Sequence, residues 1–217
     1  MRDYLFYTSC SKGICESELF GPERLYDVVI NDYTGSNTNP QEAEYKLSYD
    51  EWKYKQIYNR LKDVAFNYKA IAIFDDDIKV STDDINKLFV LGDTSQFNIW
   101  QAALTKDSYS SWQHHYQKPN SHVRLTNTME IMMPFFSQSA LKTCWESFNL
   151  NYCAWGLDVA WTHLLKGQNI MVVDSIPVTH TRPMRGHTRI MPSGLPPYLE
   201  AEIVFKHYGI RPPKDIF

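Results

Sequence analysis

The stretch that decides the fold is Ala70-Ile71-Ala72-Ile73-Phe74-Asp75-Asp76-Asp77. Five apolar residues in succession read as a strand covered on both faces, and three acids end it at once. Upstream, between residues 49 and 68, Trp52, Ile57, Leu61, Val64 and Ala65 recur at helical spacing, so a helix feeds this strand. Downstream, Ser81-Thr82-Asp83-Asp84 marks a helix start, with Ile85, Leu88 and Phe89 on the apolar face. Further out, residues 4–8, 26–30, 98–104, 129–133 and 170–174 read as strands, and 139–148 and 157–165 as helices. Strands alternating with helices predict an α/β fold: one domain with a mostly parallel central sheet flanked by helices.

The 217 residues suit one such domain. Twenty-two basic against 25 acidic residues, a net charge of −3, argue against a protein that coats nucleic acid. No apolar run approaches a membrane span, and the first residues lack the apolar stretch of a signal peptide, so a soluble, cytoplasmic protein is expected. Cys10 and Cys15, like Cys144 and Cys153, lack the C-x-x-C spacing of zinc or redox sites and read as free thiols. Aromatic residues make up 14% of the chain; they suit a core or a stacking surface for sugars or bases equally well. After residue 178 the chain becomes Pro-rich and basic, with six basic residues against three acidic ones. We therefore expect a catalytic domain over 1–178 and a segment over 179–217 that packs on or closes the site.

In an open α/β sheet, ligands bind outside the carboxyl ends of the strands, where the acidic triplet falls. Three adjacent carboxylates repel one another unless a cation holds them, and hard oxygen ligands favour Mg²⁺ or Mn²⁺. Such an ion completes its shell with water and substrate phosphate. Asp is also common wherever a chain turns, so the triplet alone leaves a solvated loop open.

Other residues join by position. Asp158, in Trp155-Gly156-Leu157-Asp158, stands in the first turn of a helix. There it suits the dipole, or serves as a general base beside a Trp155 that walls a sugar ring. His180 follows the last strand, and with Arg182, Arg185, His187 and Arg189 forms a cationic stretch suited to phosphates. Glu130 reads either as an outward-facing strand residue or as a partner for a sugar hydroxyl. Ser137 is expected to cap the following helix.

Together these residues resemble the GT-A glycosyltransferases, which move sugars from nucleotide-diphosphate donors. The likeness rests on the strand ending in Asp-x-Asp, the Trp-Gly-x-Asp before a helix, and the late histidine. The ordered series Thr128-Met-Glu-Ile-Met-Met-Pro-Phe-Phe-Ser137, Trp155-Gly-Leu-Asp158 and Val172-Val-Asp-Ser175 is similar to an uncharacterised glycosyltransferase-like family of plants and bacteria. That resemblance covers about residues 68–183; the Arg-Pro-Met-Arg-Gly-His run after His180 departs from it.

It implies a GT-A-like (Rossmann-like) fold and a metal, Mn²⁺ or Mg²⁺, on Asp75, Asp77 and His180. It implies a nucleotide-sugar donor, by preference a UDP-sugar, near Thr8, Ser9, Asp32, Lys55, Asp76 and Arg182. Asp158 would be the catalytic base if the reaction inverts at the anomeric carbon, and would orient the acceptor if it retains. Glu130, Trp155, Gly156 and His187 would face the acceptor, a carbohydrate hydroxyl by default and a hydroxylated DNA base as the alternative. Two other readings remain open: a metal-dependent phosphodiesterase or nuclease, and a carbohydrate-binding domain without catalysis.

Overall fold

The computed structural model describes residues 1–12, 15–36, 40–110, 112–183 and 189–211. Among them, nine strands form one sheet. At its centre β1 (Tyr4–Cys10) lies parallel to β2 (Tyr26–Asp32) and to β4 (Ala70–Asp75), and β2 carries the edge strand β3 (Tyr45–Leu47). The sheet then changes character. β8 (Phe135–Ser137) runs antiparallel between β4 and β6 (Ile99–Leu104), and β9 (Ile170–His180) lies parallel to β6. The short strands β5 (Ile78–Lys79) and β7 (Val123–Leu125) both pair antiparallel with β9.

The sheet is therefore mixed, and the expectation of a mostly parallel one is corrected. Its cause is the connection between β6 and β8, a long excursion with no helical crossover to reverse the chain. The strand expected at 129–133 is a second correction. That segment is irregular, with its apolar Met129, Met132 and Met133 buried, and it docks on β4 by single bonds, Asp75 N–H to the Met132 carbonyl and Ile73 N–H to the Pro134 carbonyl.

Alternate residues of each strand face opposite layers. Tyr4, Phe6, Phe74 and Trp100 pack under α3 (Thr82–Thr94), whose Ile85, Leu88 and Phe89 are buried as expected. Leu5, Tyr7, Ile71 and Ile73 face α1 (Lys53–Arg60), α4 (Gln138–Cys144), α5 (Leu157–Leu164) and, at the margin, α6 (Pro197–Tyr208). The helix expected over 49–68 is two pieces, since Leu61 breaks the run between α1 and the single turn α2 (Lys62–Ala65). Ser137 caps α4 by accepting the Ala140 N–H. Much of the aromatic content is core: Trp100, Trp145, Trp161 and six phenylalanines are fully buried. No helix among the described residues is long and apolar enough to cross a membrane.

Candidate functional site

β1 and β4 run in register, so Ser9 pairs with Asp75 at their carboxyl ends. There a cleft of about 960 Å³ opens, lined by Ser9, Tyr33, Asp50, Glu51, Trp52, Lys53, the three aspartates and residues 189–192. Each aspartate of the triplet meets its own cation. Lys53 Nζ lies 2.5 Å from Asp75 Oδ1, Arg182 Nη1 3.3 Å from Asp76 Oδ1, and His180 Nε2 3.4 Å from Asp77 Oδ2. This is how three neighbouring carboxylates are tolerated at a strand end.

Their environments differ. Burial opposes ionisation of Asp77, but the His180 imidazole and the charge of Arg182 hold its carboxyl below the ordinary value. Burial raises Asp76, assisted by the other two aspartates and against the pull of Arg182. For His180, burial works against the charge, yet Asp77 and the Tyr109 carbonyl prevail and its pKa is raised. His180 itself sits on β9 and not after the last strand as expected, because the strand continues through Pro177 and pairs with β5 at Ile78. Its Nδ1–H donates to the Tyr109 carbonyl (2.7 Å), which leaves Nε2 aimed at Asp77.

Asp77 Oδ1 is buried without a hydrogen-bond partner. An orphaned carboxylate oxygen beside an imidazole and a second carboxylate suits a hard divalent cation. Among the described residues, no group of three or more His, Cys, Asp or Glu side chains closes around such an ion. A cation here would thus rely on water and substrate oxygens, as Mg²⁺ commonly does.

The second constellation lies at the start of α5, where Gly156 takes a left-handed conformation (φ 85°) and any Cβ would come within 3.2 Å of the Ala201 backbone. This turn opens the helix whose first turn carries Asp158. Its Oδ1 is buried and unpartnered, and burial pushes its carboxyl up to about 7, against the Val159 amide and Trp112 and with help from Glu130. Glu130 is buried, accepts from the Ser110 hydroxyl (2.5 Å), and faces His115 Nδ1 at 3.2 Å.

One strap joins the two constellations. Tyr109 holds His180, Ser110 holds Glu130, and the Trp112 side chain reaches Asp158. Tyr54 stands between them as well: its phenol donates to the Ile131 carbonyl, and the charges of both Asp75 and Asp158, added to burial, raise its pKa.

Other expected residues fall elsewhere. Thr8 is buried, and its hydroxyl has no hydrogen-bond partner and no access to the cleft. Asp32 spends its carboxylate on its own loop and on the loop after β1, accepting from Thr34 N–H, the Thr34 and Ser36 hydroxyls and Lys12 N–H. Lys55 turns away to the Asn149 carbonyl and the Tyr152 ring. Trp155 packs against Val159, Ala201 and Phe205, between α5 and α6. Arg185 and His187 lie outside the described residues.

Lys53, Tyr54, Ser110 and Trp112 were not singled out from the sequence. For the first two a signal existed. Lys53 lies one turn before the apolar Ile57, and Tyr54 three residues before it, which turns both toward the sheet.

No protein-family model matches the sequence, and no curated protein sequence is similar to it. Solved structures do share its architecture. Residues 1–349 of S. aureus TarS, crystallised in complex with UDP, align over 82% of this chain and 59% of that one, at 12% identity and a TM-score of 0.53. The longer S. aureus TarS structure aligns over 82% and 36%, at 11% identity and a TM-score of 0.54. The chain thus spans about three fifths of the shorter TarS structure and about a third of the longer. A197 from STIV aligns over 90% of this chain and 92% of its own, at 16% identity and a TM-score of 0.43. The likeness to TarS establishes the fold alone: a mixed α/β sheet flanked by helices.

Proposed function

We propose that the chain transfers a sugar from a nucleoside-diphosphate donor, a UDP-sugar by preference, to a hydroxyl acceptor. The observation that carries this reading is the set of contacts made by Tyr109, Ser110 and Trp112, which ties His180 beside Asp77 to Glu130 and Asp158. An acidic, cation-laced cleft is thereby set next to a carboxylate whose pKa lies close to neutrality.

The donor would occupy the cleft beside Ser9, with its diphosphate toward the triplet. Asp75, Asp77 and His180 would hold a Mn²⁺ or Mg²⁺, which when bound neutralises charge on the leaving diphosphate. Asp158, ionised in a substantial fraction of molecules at neutral pH, would take the proton of the acceptor hydroxyl. Its enclosure keeps water away and strengthens that interaction. Glu130 would orient the acceptor, with His115 and Ser110 fixing its rotamer. Fold kinship with TarS, whose crystal structure holds UDP, supports the donor class. A carbohydrate hydroxyl is the acceptor we favour.

Thermal shift with UDP-, GDP- and CMP-sugars, with and without Mn²⁺, tests the reading, since a ligand that binds the folded state raises its melting temperature. A Mn²⁺-dependent shift with one of them, followed by release of nucleoside diphosphate, is expected. Binding of glycans without any nucleotide-sugar turnover would assign the chain to carbohydrate recognition instead.

A further inference from the structure

The walls of the cleft carry five carboxylates (Asp50, Glu51, Asp75, Asp76 and Asp77) and two permanent cations, Lys53 and Arg189. Such a surface repels an anionic ligand unless cations are free to meet it. Lys53 is already committed, to Asp75 at 2.5 Å and to the Ile131 carbonyl at 2.7 Å. Arg182, outside the lining, is shared between Asp76 and Glu16. Arg189 differs. Among the described residues it pairs with no carboxylate, and its guanidinium lies over the Trp52 ring, 4.7 Å from the centroid. Stacking engages the flat face of a guanidinium and leaves its N–H edges free for bidentate contact with phosphate oxygens. Trp52 is in turn anchored at the N-terminus of α1, next to the Lys53 that holds Asp75.

We infer that Arg189, laid on Trp52, is the cation that binds the donor's diphosphate, and that this pair makes the cleft select nucleoside diphosphates over bare nucleosides. The inference rests on the glycosyl-transfer reading and adds its phosphate-recognising group. Trp52 supplies an orientation that a lysine on its flexible stem would not hold, so the selectivity depends on the stack as well as on the charge.

The test is calorimetric titration of the full chain with UDP, uridine and inorganic pyrophosphate in the presence of Mn²⁺. A charge-assisted bidentate contact predicts that Arg189→Ala weakens UDP and pyrophosphate by about tenfold or more, with uridine unchanged. Trp52→Leu should weaken UDP by a smaller factor, and Arg189→Lys should restore only part of the loss. Arg189 is exposed, so its removal leaves the fold intact. Should wild type bind UDP and Arg189→Ala bind it equally well, the inference falls while the transferase reading stands. Should wild type bind neither UDP nor any other nucleoside diphosphate, both fall together.

Discussion

His180 and Asp77 meet at the end of β9, with Nε2 3.4 Å from Oδ2, while the other oxygen of Asp77 is buried and unpaired. Folding leaves this carboxylate of the acidic triplet half satisfied. A buried acceptor without a partner costs stability unless a ligand supplies one. Against that cost stand His180 and Arg182, which hold Asp77 ionised, so Asp77→Asn should slightly lower the melting temperature at neutral pH in the absence of metal. It should abolish the additional Mn²⁺-dependent rise seen with a nucleotide-sugar and cut turnover on the order of 10²-fold or more. A variant that retains both the Mn²⁺ effect and the turnover would remove Asp77 from the site.

Asp158 predicts a pH dependence in two directions. Its folded-state pKa of about 7 lies above the roughly 3.9 of an unfolded aspartate, so the folded chain keeps a proton that the unfolded chain releases. Stability is thus lost as pH rises from about 4 through 7, whereas the fraction of active base grows over the upper part of the same window. Asp158→Asn should be more stable than wild type at pH 8, by about 1–2 kcal/mol, and equally stable at pH 4. It should also lack the rise in rate through neutrality. Melting curves at the two pH values check the first, and a pH–rate profile the second.

The parts legible in the sequence were those written as long, regular patterns. The apolar run 70–74 marks β4, and the Ser81 cap with Ile85, Leu88 and Phe89 marks α3. β8 was not legible because three residues carry no periodicity, and its direction is set by the excursion before it. Residues 129–133 look like a strand since burial demands apolar side chains whether or not the backbone pairs regularly. At the site, the triplet and Asp158 stood out as acids at element ends. Their partners did not. Lys53 reaches Asp75 across 22 residues and Ser110 reaches Glu130 across 20, distances at which local patterns carry no information. Asp32 shows the converse, an acid in the expected place whose oxygens its own loop consumes.

Gly92 offers a test of the packing between α3 and the sheet. A Cβ there would lie 2.2 Å from the Trp100 ring, whose indole N–H donates to the Leu88 carbonyl of the same helix. Helix α3 and strand β6 approach so closely that only hydrogen fits. Gly92→Ala gains helix propensity but must displace a fully buried tryptophan stacked on Phe135. The expected cost is about 2–3 kcal/mol, which for a chain of this size lowers the melting temperature by roughly 5–10 °C. An unchanged melting temperature would mean that the two elements separate freely.

Trp112 separates the role of the strap from that of the acid it touches. Its side chain pulls the Asp158 pKa down against burial, and its backbone N–H is held by the Ser110 hydroxyl that also serves Glu130. Trp112→Phe keeps a ring in place and removes only the donor. Asp158 should then ionise at higher pH, so the rising limb of the pH–rate profile should move upward, while the affinity for UDP, bound at the other constellation, should stay the same. Ser110→Ala should move the limb in the same direction, because it frees the Trp112 backbone and with it the indole. A purely structural strap would lower activity at every pH without moving the limb. If the limb stays fixed in both variants, the group that titrates in turnover is not Asp158, and the assignment of the base must pass to another residue of the cleft.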